Sequence, residues 1–382
     1  MKIHSITTHA LSMPLSVPLW TAHEHLKTSS AILVEVKTDD GLTGYGEIHG
    51  EPMAEICRYV VQFAEIVRGM DALAHGTVWD KLFGLTAPRA NGVLGSGGLP
   101  APLSRSARPL IMAALGGIDI ALWDIKGKAA RLPVYRLLGG EAQPVFTYAT
   151  GGYYREGATD ATYADELADF VAKGYRAVKL KCCAGEMDAE VRRIAAVRRA
   201  IGDDALLMLD MNGAYTVEEC IRFARAVEPY GIHWLEEPLH WYLQPEDFVR
   251  LARETTIPLA HCERELTRFT VRDFIASGAI RYVQFDSTRY AGFTEAVRVG
   301  HLAEQYGVRI APHLAPDVHT HLCAAFARSC FGVETHGNAL RDPLALGLYP
   351  NHAHVENGYI QPSDAPGFGI EIDWDFVQRH RL

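Results

Sequence analysis

Arg176-Ala-Val-Lys-Leu-Lys181, Leu206-Leu-Met-Leu-Asp210 and His233-Trp-Leu-Glu236 share one form: a short, mostly apolar run that ends on an ionisable side chain. The form returns four times downstream. Pro258 to Ala260 is followed by Glu263, Tyr282 to Phe285 by Asp286, Val308 to Ala311 by His313, and Phe331 to Val333 by Glu334. Successive members of this series stand 21 to 29 residues apart, about the length of one βα unit. Helical patterns such as Ala189 to Ala200 and Val217 to Val227 fill the intervals. Strand and helix in strict alternation imply parallel βα units, and seven or eight of them predict a (β/α)₈ barrel. Lys181, Asp210, Glu236, Glu263, Asp286, His313 and Glu334 would then ring the mouth at the C-terminal ends of the strands, where such barrels carry their chemistry. A doubly wound sheet would need a glycine fingerprint after its first strand, and Gly95-Ser-Gly-Gly98 stands in the wrong place for one.

Upstream of this series the texture differs. Ile32 to Val36 alternates, Asp39-Asp40-Gly41 reads as a hairpin turn, and Leu42 to Glu47 continues the pattern. Helical spacing follows from Pro52 to Val67, and Asn91 to Pro102 reads as a mobile Gly/Pro/Leu-rich loop. Pro109 to Ala130 is a strongly apolar helix with Gly116-Gly117 at a point of close packing, and Leu138-Gly139-Gly140 closes the segment. The expected organisation is a cap over residues 1–140, a barrel over 141–345 and a C-terminal segment, 346–382, that returns to the cap.

The chain has 382 residues, 48% of them hydrophobic, with a net charge of −9. That balance argues against a nucleic-acid partner, since no basic surface is present to displace counterions. The most apolar stretch, Pro109 to Trp123, contains Asp119 and is too short to span a membrane. Seven cysteines without CxxC spacing indicate reduced thiols and a cytoplasmic protein, not a disulfide framework or a zinc ribbon.

Asp210, Glu236 and Glu263 on consecutive strands would repel one another in a partly buried mouth unless a cation lay between them. Oxygen-only ligands with room for water and substrate favour Mg²⁺ over Zn²⁺. Lys179 and Lys181 flank Leu180, so both face into the barrel. Two ammonium groups side by side near a metal disfavour each other's charge, which is expected to bring a lysine toward neutrality and make it a usable base. Asp286 and His313 end successive strands, and a carboxylate beside an imidazole fixes its tautomer for acid/base work. Glu334 could donate to a developing oxyanion if its pKa were raised, or form a salt bridge.

Taken together, Lys179-Leu-Lys181, Asp210-Met-Asn212, Trp234-Leu-Glu-Glu-Pro238, Glu263, Asp286 with His313, and Glu334 resemble the enolase superfamily in its mandelate racemase-like subgroup. Gly117-Ile-Asp-Ile-Ala-Leu-Trp-Asp-Ile-Lys-Gly-Lys128 resembles that family's segment leading into the barrel. The resemblance implies an α+β cap over a modified (β/α)₇β barrel, with the C-terminal tail completing the cap. It implies Asp210, Glu236 and Glu263 as Mg²⁺ ligands, with Lys181 and the Asp286–His313 dyad as acid/bases on opposite faces of the substrate. Lys179 would lie beside the substrate carboxylate and Glu334 would act as electrophile. Homo-oligomers, dimers or octamers, are usual in the family. Cys182-Cys183 after Lys181, and Phe285 with Ser287-Thr288-Arg289 around Asp286, depart from the family's usual pattern.

Specificity is expected in the cap. Trp20-Thr-Ala-His23-Glu24-His25 and Glu47-Ile48-His49 are polar for loops that close over a pocket, which favours a hydroxylated substrate. Trp20, His23 and Glu24, with Asn212 and Arg289 from the barrel, are the expected substrate-binding residues. The expected reaction is removal of the α-proton of a small carboxylate through an enediolate, with dehydration of a sugar acid to a 2-keto-3-deoxy acid ahead of racemisation or epimerisation of a 2-hydroxy acid. A lactone or muconate cycloisomerase would need only one of the two acid/bases.

Overall fold

The computed structural model describes residues 1–86 and 105–382; the expected loop at 91–102 and Gly95–Gly98 lie outside the described residues. The chain opens with an antiparallel sheet of β1 (Ile3–Trp20), β2 (His25–Thr38) and β3 (Thr43–Ile48), in the order β1-β2-β3. The turn between β2 and β3 is the expected one. Thr38 Oγ1 donates to Asp40 Oδ1 at 2.5 Å, and Gly41 takes a φ of +93° that other residues rarely adopt. Two helices, α1 (Met53–Val67) and α2 (His75–Phe83), follow.

The long helix α3 (Arg108–Ala130) is buried without interruption from Ile111 to Ile125, because it is covered on both sides. On the cap side, a Cβ at Gly46 would stand 2.1 Å from the Gly117 carbonyl oxygen, and one at Gly44 would stand 2.2 Å from that of Ala121. The sheet and the helix therefore meet backbone to backbone, which explains the glycines of both. On the barrel side, Asp119 accepts hydrogen bonds from the Thr294 amide at 2.7 Å and its hydroxyl at 2.6 Å. A short α4 (Val134–Leu137) leads onward.

The barrel strands are β4 (Val145–Gly151), β5 (Ala177–Lys181), β6 (Leu206–Asp210), β7 (Ile232–Glu236), β8 (Leu259–His261), β9 (Tyr282–Val283), β10 (Arg309–Ile310) and β11 (Val333–His336). Seven helices connect them: α5 (Asp160–Ala172), α6 (Met187–Ile201), α7 (Val217–Val227), α8 (Pro245–Ala252), α9 (Arg268–Ala276), α10 (Gly292–Tyr306) and α11 (Pro316–Ala325). Neighbours run parallel from β4 to β10, and β11 pairs with β4. The Phe331 amide donates to the Ile310 carbonyl at 2.8 Å and closes the ring. Eight strands and seven helices make this the (β/α)₇β variant.

One side chain from each strand or its flank fills the floor: Tyr148, Ala177, Met208, Trp234, Ala260, Tyr282, Ala311 and Phe331. Large residues interleave with small ones, as a closed barrel requires. The tail divides its contacts. The hairpin of β12 (Val355–Glu356) and β13 (Tyr359–Ile360) adds to β4, whereas α12 (Pro343–Leu348) and α13 (Trp374–His380) pack on the cap sheet.

Candidate active site

Strand register assembles the site directly above the apolar floor. Lys181 pairs with Asp210, and Asp210 with Glu236, so three strand ends deliver their side chains at one level. Non-glycine residues in the left-handed region follow immediately: Cys183, Asn212, Glu237, Cys262 and Leu314. Such conformations are costly and gather at functional sites.

Asp210, Glu236 and Glu263 each offer an oxygen within 4.8 Å of the others, and all three are buried. Burial, then the neighbouring Asp210, pushes the Glu236 carboxyl well above its usual range. Glu263 is held well below it. Burial opposes this, and His313, Arg289 and Arg264 outweigh burial. Its Oε2 is buried without a hydrogen bond, although His313 Nε2 stands 3.3 Å away. Three carboxylates, oxygen donors alone and one orphaned buried oxygen suit a hard divalent cation.

Lys179 is fully buried over the face of Tyr148, in ion pairs with Glu236 and Glu334, the latter at 2.7 Å. Lys181 is hydrogen-bonded to Asp210. The expected drift of these lysines toward neutrality is not what the protein charges produce. Burial, and for Lys181 also the Lys179 ammonium, do work in that direction, but the facing carboxylates, Asp210 foremost for Lys181 and Glu236 for Lys179, outweigh them and hold both above the ordinary lysine value. Of the two roles open to Glu334, the protein charges favour the salt bridge. Burial would raise the Glu334 pKa, yet Lys179 and His313 bring it down to about 2, so it is an ionised salt-bridge partner that also accepts from Thr150.

His313 Nδ1 donates to Asp286 Oδ2 at 2.8 Å, which directs Nε2 toward the triad. The Asp286 carboxyl lies well below its usual range, since the His313 hydrogen bond and charge outweigh burial. In the ring of strands, Lys181 on β5 and His313 after β10 are separated by the arc of the acidic triad on one side and by β4 and β11 on the other.

A cavity of about 560 Å³ lies between β2 and this mouth. Of the expected substrate-binding residues, Glu24 and Arg289 line it. Arg289 donates to Glu263 Oε1 at 3.0 Å. Trp20 and His23 lie outside that lining. Trp20 stacks on His25 and Tyr154, while His23 meets the Gly213 carbonyl at 3.1 Å and packs on Trp241, so both hold the loop in place. Asn212 is buried beside Asp210, its Oδ1 without a hydrogen bond. His49 lines the cavity in an ion pair with Glu47, which also accepts from Tyr349.

Arg264, His336 and Arg341 also line the cavity and were missed from sequence. Arg264 joins Glu237 at 2.8 Å, Glu263 at 3.5 Å and Glu24 at 3.7 Å. Its place directly after Glu263 was the available signal.

The model of the mandelate racemase/muconate lactonizing enzyme N-terminal domain matches residues 3–139, and that of the enolase C-terminal domain-like family matches residues 162–376. The chain belongs to the mandelate racemase/muconate lactonizing enzyme family of the enolase superfamily. A D-galactarolactone cycloisomerase of Agrobacterium fabrum is 32% identical over 100% of this chain and 99% of its own length. An arabinonate dehydratase of Saccharolobus solfataricus is 30% identical over 89% of this chain and 88% of its own. A mandelate racemase/muconate lactonizing enzyme from a marine actinobacterium, solved in complex with magnesium, superposes with a TM-score of 0.85 at 28% identity, covering 100% of this chain and 99% of that one. This member of the enolase superfamily is thus an enzyme whose relatives are lyases and isomerases. Among the described residues, no helix is long and apolar enough to cross a membrane.

Proposed function

We propose that this enzyme dehydrates a sugar acid to a 2-keto-3-deoxy acid, using Mg²⁺ held by Asp210, Glu236 and Glu263. The observation that carries the sugar-acid assignment is the cavity lining. Thr28, Ser29, Ser30 and His25 on β2, with His49 and His336, make the lining polar, which suits a chain of hydroxyl groups better than an apolar ring. The magnesium complex of the actinobacterial relative supports the choice of metal.

When bound, Mg²⁺ supplies charge that neutralises the carboxylate as the α-proton leaves, worth several kcal/mol. The protein does the rest. Lys179 extends the positive field under the carboxylate, and Glu334 keeps that ammonium in place. His313 and Lys181 approach from different arcs of the ring: the Nε2 lone pair of His313 takes the α-proton, and the Lys181 ammonium gives a proton to the β-hydroxyl, which leaves as water. The resulting enol tautomerises to the keto acid. A placed acid or base contributes about 10²–10⁴-fold to such a step.

Proton NMR in D₂O with Mg²⁺ over a library of sugar acids, coupled to a carbonyl reagent, tests this reading. Keto acid from one sugar acid, lost in Lys181→Ala and His313→Asn, is the expected result. Exchange with inversion at C2 and no keto acid would make the enzyme a racemase or epimerase, which the same two groups could also serve.

A further inference from the structure

The arginines around the cavity are unequal. Arg264 is committed to Glu237, Glu263 and Glu24, and Arg289 to Glu263 and Asp286. Arg341 also lines the cavity, partly buried, yet among the described residues it forms no ion pair and no hydrogen bond. Its natural partner would be the adjacent Asp342, whose carboxylate feels the Arg341 charge but makes its hydrogen bonds elsewhere. Asp342 accepts from Ser29 Oγ at 2.6 Å, caps α12 through the Ala345 amide, and faces His336 at 3.7 Å. Lys27, on β2 and lining the same cavity, likewise has no carboxylate partner among the described residues.

Resting on the sugar-acid reading above, we propose that the substrate is a dicarboxylate, an aldaric acid, whose distal carboxylate is received by Arg341, with Lys27 adding positive charge to the same cavity. A guanidinium presents two parallel N–H donors that match a carboxylate and gain little from a terminal hydroxymethyl group. The reacting carboxylate belongs at the triad, deep in the mouth. Arg341 follows β11 and Lys27 lies on β2, and both line the cavity without belonging to the triad. A substrate charged at one end would leave these two cations without a bound anion. A diacid neutralises both ends.

The test uses matched pairs, six-carbon aldaric and aldonic acids of the same configuration, with a 6-phosphoaldonate as a third arm. Binding is measured by calorimetry with Mg²⁺ present, and turnover is measured separately. Wild type is expected to bind the diacid at least about tenfold tighter than the matching monoacid. Arg341→Gln should weaken diacid binding far more than monoacid binding and so remove that advantage, and Arg341→Lys should restore part of it. Equal binding of diacid and monoacid by wild type, or an equal loss of both in Arg341→Gln, would overturn the assignment. Preference for the phosphorylated acid would overturn the carboxylate in favour of a phosphate. Diacid-selective binding without conversion to keto acid would instead count against the dehydration reading and leave the Arg341 subsite standing.

Discussion

Asp286→Asn should silence His313 without unfolding the protein. The two carboxylate oxygens have separate tasks. Oδ1 accepts from the Thr288 amide at 2.8 Å, the Thr288 hydroxyl at 2.7 Å and the Arg289 amide at 3.3 Å, while Oδ2 faces His313 Nδ1 at 2.8 Å. In the variant, those three donors keep the amide oxygen at the Oδ1 position, so the new NH₂ group must point at Nδ1. Two N–H donors cannot share a contact of that length. The imidazole therefore shifts its proton to Nε2, and the atom facing the triad becomes a donor where a base needs a lone pair. Losing one correctly oriented base costs about 10²–10⁴-fold in rate, or ~3–5 kcal/mol in barrier. Volume and three hydrogen bonds are kept, so the melting temperature should move little. The assay is α-proton exchange into D₂O by NMR, with steady-state kinetics on any accepted acid. A variant whose kcat/KM stays within about threefold of wild type would refute the tautomer argument. Loss of activity together with a collapsed melting temperature would assign the effect to folding instead.

Three further predictions follow from the geometry. Mg²⁺ should raise the melting temperature in a saturable way, with about 2.7 kcal/mol of stabilisation at a hundred times Kd, and Glu263→Gln should abolish the response; a flat calorimetric titration of wild type would count against the triad as a metal site. Gly46→Ala places a Cβ 2.1 Å from the Gly117 carbonyl oxygen and 2.9 Å from the Ala121 amide, both backbone, and should cost at least about 2–3 kcal/mol in urea denaturation. Burial would lower the His49 pKa, but the charge and hydrogen bond of Glu47, with Asp342 and Asp286 behind them, together outweigh burial and raise it to about 9. Its stabilisation is fully present below its ordinary 6.5 and is lost as pH rises through 9, with a slope of at most about 1.4 kcal/mol per pH unit. His49→Gln should flatten that part of the wild-type stability profile, and an unchanged profile would remove the pair from the account.

The ring of strand ends was legible because a barrel imposes a period: one βα unit returns the chain to the same rim, so Asp210, Glu236 and Glu263 announce themselves by spacing. Lys179 and Lys181 were legible on the same grounds, since residues two apart on a strand face one way. Their protonation was not. It depends on which carboxylates lie across the ring, and Asp210 and Glu334 come from distant parts of the chain. Trp20 and His23 show a similar limit. Their polarity and position marked the right loop, but the loop's path turns them onto Tyr154 and Trp241 and leaves Glu24 facing the cavity. Arg341 was invisible for the opposite reason, because its significance lies in partners that Asp342 gives elsewhere.

The cap sheet is seated on residues from the far end of the chain. Leu11, Ala31 and Leu33 share a core with Leu344, Leu348, Tyr349, Phe376 and Val377, and Tyr349 reaches Glu47 across 302 positions. During synthesis the barrel strands can therefore pair while this face of the sheet is still bare. β2, which lines the cavity above the barrel mouth, receives its full backing only after Val377 has been made. A ribosome that stalls late would hold a finished barrel beneath an unsupported lid, with an apolar sheet surface open to other nascent chains.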